Sequence, residues 1–128
     1  MAVALADTPI DFGVLAGAGA PSRDYKAGEV IFTEGDPAEE LFVVKSGVVE
    51  IRLGNRLLDT LPERSIFGEM ALIDQGPRSA TAVAATDAVL VPVGEKQFLL
   101  MVSRTPYFAL NVMRVLVQRL RTSNTIIY

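Results

Sequence analysis

The chain has 128 residues, half of them hydrophobic, and a formal net charge of −3, which fits one domain with a sizeable core. That charge disfavours a broad surface for duplex nucleic acid, where clustered Lys and Arg must neutralise several phosphates. With neither cysteine nor histidine, the chain has no disulfide, iron–sulfur cluster or thiolate nucleophile, and lacks the commonest metal ligand and general base.

Residues 1–24 are rich in Ala and Gly, with Pro21-Ser22 near the end, and predict a short helix near 12–16 followed by a loop. The first six residues are apolar but have no basic flank, and Asp7 and Asp11 interrupt them before a signal-peptide core forms. No run approaches the roughly eighteen apolar residues that span a bilayer, so the expectation is a cytoplasmic protein without a membrane span. From 25 to 93 the pattern becomes short β-favouring runs between turn residues, the mark of a sandwich or roll. Strands are predicted at 30–32, 41–44, 48–53, 56–58, 79–84 and 89–91, with turns at Gly35-Asp36-Pro37, Ser46-Gly47 and Gly54-Asn55.

The periodicity changes after Gly94, giving C-terminal helices over 94–128. Phe98, Leu99 and Val102 share one face of a short helix, and Thr105-Pro106 is a restart signal, a hydroxyl cap before a proline at the first helical position. The last helix carries Ala109, Val112, Met113, Leu116, Val117 and Leu120 at three-and-four spacing, with Asn111, Arg114, Gln118 and Arg121 on another side.

The densest chemistry lies in Phe67-Gly68-Glu69-Met70-Ala71-Leu72 and, after the five residues 73–77, Arg78-Ser79-Ala80-Thr81-Ala82-Val83-Ala84. A glycine permits close backbone approach, a carboxylate accepts from a sugar hydroxyl, and an arginine followed by a small hydroxyl residue grips phosphate oxygens. A ribose carrying a cyclic phosphate needs both. This segment resembles the phosphate-binding cassette of the cyclic-nucleotide-binding domain family. A second match runs from Ile31 through Gly35-Asp36-Pro37 to Lys45-Ser46-Gly47 and is similar to that family's entry into its β-roll. Two ordered motifs are more specific than one glycine-rich match.

The resemblance implies a mainly β fold with flanking helices: an antiparallel, jelly-roll-like β-roll over 25–93, containing the cassette at 67–84, with a C-terminal helical lid. It implies Arg78, Ser79, Ala80 and Gly68 as phosphate-binding residues and Glu69 as the acceptor for the ribose 2′-hydroxyl. Met70, Ala71, Val49, Ile51, Ser123 and Asn124 become candidates for the base and sugar pocket. Val49 and Ile51 alternate along a strand, where plain core is the other reading, and Ser123 and Asn124 also read as a polar chain end. Lone glycine, glutamate and arginine residues also serve turns and solvated surfaces.

The implied ligand is a 3′,5′-cyclic nucleotide, bound without any cofactor. Cyclic AMP is favoured over cyclic GMP, because Ser79 stands where cyclic-GMP-preferring members often carry threonine. The implied role is that of a non-catalytic regulatory domain with no direct DNA binding, since the chain stops at Tyr128 where the family's transcription factors continue into a helix-turn-helix. A homodimer through the last helix is implied, with Val112, Met113, Leu116 and Leu120 as its seam. The downstream effector is not specified. An interaction or structural module that no longer binds nucleotide is the alternative; an enzyme would have to run on carboxylates such as Glu69 and Asp74, which form no paired arrangement. One departure stands out: Arg64-Ser65 occupies the place of a glycine-acid turn common in the family.

Overall fold

The computed structural model describes residues 21–73 and 76–122, with side chains to 119; the helix expected near 12–16 falls outside them. The strands are β1 (Arg23–Tyr25), β2 (Val30–Phe32), β3 (Glu40–Ser46), β4 (Val49–Leu53), β5 (Arg56–Leu61), β6 (Ile66–Phe67), β7 (Thr81–Ala84) and β8 (Ala88–Gly94). The helices are α1 (Met70–Ile73), between β6 and β7, then α2 (Glu95–Arg104) and α3 (Pro106–Thr122). Among the described residues the strands form two four-stranded sheets, ordered β1-β8-β3-β6 and β2-β7-β4-β5, and every pairing is antiparallel. This is the expected antiparallel roll with helices after the strands.

Why one sheet lies in the middle can be read along β3. Leu41, Phe42, Val43 and Val44 are all buried, the run expected of a strand covered on both faces. Period-two alternation sends Phe42 and Val44 into a cluster with Phe32, Val49, Ile51, Leu61 and Phe67, between the sheets. Leu41 and Val43 turn the other way, onto Met101, Phe108, Val112 and Val115 of the helices. β6 divides likewise, with Phe67 in the first cluster and Ile66 in the second. Each fully buried side chain of this size contributes about 1.5–3 kcal/mol, so the first sheet is anchored twice.

Two strands have no counterpart among the predicted runs. β1 is the polar triplet Arg23-Asp24-Tyr25, held by main-chain pairing to β8, and β6 is two residues long, pairing through Phe42↔Phe67 and Val43↔Ile66. β7 begins at Thr81, which leaves Ser79 and Ala80 in the preceding loop rather than in the strand.

The helices keep the expected break, with α2 ending on Thr105 as its cap and α3 opening at Pro106, but both faces require correction. Leu99 is 58% exposed, and α2 packs through Phe98, Met101 and Val102. α3 turns Phe108, Asn111, Val112, Val115 and Arg119 inward and leaves Tyr107, Leu110, Met113 and Val117 exposed. The predicted stripe is therefore rotated: Asn111 belongs to the core side, Met113 and Val117 to the surface. The predicted seam is split as well, because Val112 is buried and Leu116 packs against the domain's own helical cluster.

Arg64 is the non-glycine residue with positive φ among those described, at 70°. Its amide donates to the Val44 carbonyl at 2.7 Å, and the Ser65 carbonyl accepts from the Val44 amide at 2.9 Å, so the turn is fixed by the sheet. An L-residue in this region costs about 1–2 kcal/mol, part of which a glycine returns as unfolded-state entropy. Arg64→Gly is expected to stabilise the protein by about 0.5–1 kcal/mol, read as a raised urea midpoint at unchanged slope. A lowered midpoint contradicts this account of the turn.

Candidate functional site

The site forms where the loop before β7 returns beneath the turn between β2 and β3. The Arg78 amide donates to the Asp36 carbonyl at 2.9 Å, and the Gly35 amide to the Arg78 carbonyl at 2.8 Å. The Glu34 amide adds a bond to Thr81 Oγ1 at 3.0 Å, and the Asp36 carboxylate closes its own turn on the Thr33 amide at 2.9 Å. The glycine-punctuated motif and the cassette are thus stitched together by main chain, which fixes where the Arg78 side chain starts.

That side chain turns inward and is only 8% exposed. Nη2 donates to the Glu40 carbonyl at 2.8 Å and Nη1 to the Gly68 carbonyl at 3.3 Å. The guanidinium carbon lies 4.1 Å from the Phe32 ring centroid and 5.7 Å from that of Phe42. Among the described residues Nε is buried without a hydrogen-bond partner and no carboxylate lies within salt-bridge distance. Burial holds the Arg78 guanidinium below the usual arginine value, and the nearby carboxylates of Glu40 and Asp36 oppose that shift without cancelling it.

Gly68 has a φ of +77°, a conformation that side-chain-bearing residues rarely adopt, and an added Cβ would sit 2.6 Å from Arg78 Nη1 and displace the guanidinium. The close approach of backbone to guanidinium therefore depends on a missing side chain. Phe32, Ala38, Gly68, Met70, Ala71, Gly76, Pro77, Arg78, Ser79 and Ala80 line one open cleft.

Glu69 lies behind this wall and is 1% exposed. Its Oε1 accepts from Arg119 Nη1 at 2.6 Å, and both side chains are 1% exposed. Arg119 Nη2 donates to the Ile66 carbonyl at 2.6 Å, so one arginine of α3 spans β6 and the residue that follows Gly68. Glu69 Oε2 is buried with no hydrogen-bond partner among the described residues. A carboxylate with one oxygen paired and the other buried and unpaired has capacity for one more donor.

The structure thus brings Gly68, Met70, Ala71, Arg78, Ser79 and Ala80 to one cleft and sets Glu69 just behind it. Val49 and Ile51 have no exposed surface and sit in the cluster between the sheets, outside the cleft lining. Ser123 and Asn124 lie outside the described residues. Sequence reasoning missed Phe32 as the ring beneath Arg78 and Arg119 as the partner of Glu69. For Arg119 a signal existed: it follows Val112 by seven residues and Val115 by four, which places it on their helical face.

Among the described residues no group of three or more carboxylates converges to hold a metal ion, and no helix is long and apolar enough to cross a membrane. The chain is 38% identical over 107 residues to the cyclic AMP receptor protein of Thermus thermophilus, an alignment covering 80% of this chain and 50% of that protein. The crystal structure of Thermus thermophilus catabolite activator protein superposes with a TM-score of 0.77 at 34% identity, covering 90% of this chain and 57% of that one. A structure from work on a cyclic-GMP-dependent signalling pathway that regulates bacterial phytopathogenesis superposes with a TM-score of 0.78 at 26% identity, covering 94% and 98%. The chain spans about half the length of the curated relatives it matches first. The profile of the cyclic nucleotide-binding domain matches residues 22–105, a span that holds the stitched turn, Gly68, Glu69 and the buried arginine; the chain belongs to the cyclic nucleotide-binding domain family.

Proposed function

We propose that this chain reversibly binds a 3′,5′-cyclic nucleotide in the cleft beside Arg78, with cyclic AMP preferred to cyclic GMP, as a non-catalytic regulatory domain. The observation that carries the reading is Arg78 itself. A nearly buried cation with, among the described residues, an unpartnered Nε and no carboxylate in salt-bridge distance is costly in isolation, and an anion bound beside it offsets that cost. The cyclic phosphate supplies one negative charge; Ser79 and the amide of Ala80 at the cleft wall supply neutral donors. Preference for cyclic AMP rests on Ser79 and on the likeness to the cyclic AMP receptor protein. The signalling-pathway relative keeps cyclic GMP as the comparison ligand.

In this reading occupancy reaches α3 through Glu69. A ribose 2′-hydroxyl donating to Oε2 satisfies the unpaired oxygen while Oε1 stays on Arg119. The ligand then favours the docked position of α3 by its difference in affinity between docked and undocked forms. Glu69→Gln tests the sugar assignment, since an amide oxygen still accepts but without charge assistance. Calorimetry should show it weakening cyclic AMP binding about tenfold while leaving a 2′-deoxy cyclic nucleotide nearly unchanged. Equal weakening of both ligands refutes the sugar role.

The outward stripe of α3 supports a homodimer, with a seam moved one face round from the sequence expectation. Tyr107, Leu110, Met113 and Val117 are 51%, 38%, 54% and 45% exposed, an apolar row at helical spacing. Met113→Glu should convert a dimer to a monomer in light scattering without lowering thermal stability, because the charge stays in water in the monomer. A wild type that is monomeric at high concentration contradicts the seam.

A further inference from the structure

We infer that Phe32 is a positioning residue for Arg78: its ring holds the guanidinium inside the cleft wall, so that an anionic ligand meets a cation already in place. The inference rests on the cyclic-nucleotide reading for its ligand, but its geometry is independent of that reading. Phe32 is 8% exposed and belongs to the cluster between the sheets, where its ring lies 6.0 Å from that of Phe42 and 5.9 Å from that of Phe67. It therefore has little freedom to follow Arg78, and Arg78 must come to it. The guanidinium carbon stands 4.1 Å above its centroid, well inside the range of a cation–π contact.

The alternatives for holding the cation are weak. Its terminal nitrogens reach two neutral carbonyls, one of them at 3.3 Å. Glu40, whose carbonyl accepts from Arg78, has its carboxylate turned outward onto Arg23 at 2.7 Å. Without the Phe32 face only the more distant Phe42 ring, 5.7 Å away, remains among the described residues, so water competes for this cation, and a guanidinium that spends part of its time outside the wall lowers apparent affinity by the fraction of time it is absent. A cation–π contact between desolvated partners is strong enough to set that fraction. An aliphatic residue at position 32 keeps an apolar side chain in the core but offers no ring field, and it packs less completely against Phe42 and Phe67.

The test uses the whole chain with site-specific replacement of Phe32 by 3,4,5-trifluorophenylalanine, which keeps the ring's shape and drains its negative face, alongside Phe32→Leu. Cyclic AMP affinity is measured by calorimetry, and the Arg78 Nε–Hε resonance is followed by NMR without ligand. Affinity is expected to fall about fivefold to tenfold with the fluorinated ring and by up to about thirtyfold with leucine, at unchanged circular dichroism. The Arg78 resonance should move from its ring-shielded position towards that of an exposed arginine. In an Arg78→Leu background the fluorinated ring should change nothing further.

Unchanged affinity and an unmoved resonance with the fluorinated ring overturn the positioning role while leaving nucleotide binding intact. If the wild type binds no cyclic nucleotide, the functional reading falls. The resonance then decides the positioning claim alone, which is upheld by a shift and overturned by none. Should Phe32→Leu fail to fold, the fluorinated ring decides the matter by itself.

Discussion

Arg78→Leu should weaken cyclic nucleotide binding by about thirtyfold to several thousandfold, equivalent to about 2–5 kcal/mol, while the protein stays folded. The loss is large because the substitution removes the cation of the cleft wall, and because the phosphate would then be desolvated against an apolar surface of Phe32, Ala71 and Ala80. The fold survives because Arg78 makes no ion pair among the described residues, and one of its two main-chain acceptors, the Gly68 carbonyl, belongs to a residue that lines the cleft, where a water can take its place. Relief of a buried charge further offsets the loss of its cation–π contact. Calorimetry and thermal denaturation on the same sample check both halves. Retained affinity removes the phosphate role, and a collapsed fold would show Arg78 to be a structural residue instead.

The second large effect is on stability. Arg119→Met should destabilise the protein by about 3–5 kcal/mol, because it strands the Glu69 carboxylate in the interior and takes a donor from the Ile66 carbonyl. That is a sizeable share of the roughly 5–15 kcal/mol that hold a domain of ordinary stability together. The test lies in the double variant. Removing both charges, as Glu69→Leu with Arg119→Met, should recover at least half of the loss, since a fully buried ion pair gains little over well-packed apolar groups of similar size. Urea denaturation of the two single variants and the pair completes a double-mutant cycle. Additive losses would mean that the 2.6 Å contact couples nothing.

These expectations rest on unequal amounts of sequence information. The candidate cassette was legible through its residue types and its resemblance to a known family, which pointed to Gly68 for close backbone approach to a ligand and to Arg78 after Pro77; that Gly68 lies against the Arg78 guanidinium came from the structure. The second motif was legible for a related reason, since Gly35 adopts φ of 89° in a turn whose hydrogen bonds then hold Arg78 in place. The strands β3 and β4 announced themselves by apolar runs and alternation. β1 and β6 did not, because a polar triplet and a dipeptide carry no periodic signal and exist by pairing with β8 and β3.

The last helix shows the limit of hydrophobic periodicity. α3 carries apolar residues around most of its circumference, so a 3.6-residue period fits more than one rotation of the same helix. Polarity then argued for the wrong one. Asn111 and Arg119 look like surface residues in a sequence, yet Arg119 is buried because Glu69, fifty residues earlier, is buried with it. Pairing of that kind is a tertiary fact, invisible to any window along the chain. Val49 and Ile51 took the plainer of their two readings: their alternation places them between the sheets.

That the Arg78 cleft takes a cyclic phosphate on a ribose is tested most directly by titrating the wild-type chain with cyclic AMP, cyclic GMP and linear 5′-AMP in a calorimeter. The expected result is one saturable site per chain, cyclic AMP tighter than cyclic GMP, and 5′-AMP far weaker than either. Absence of heat and of thermal stabilisation with both cyclic nucleotides, at concentrations where a ligand at about a hundred times its Kd adds about 2.7 kcal/mol, would contradict it.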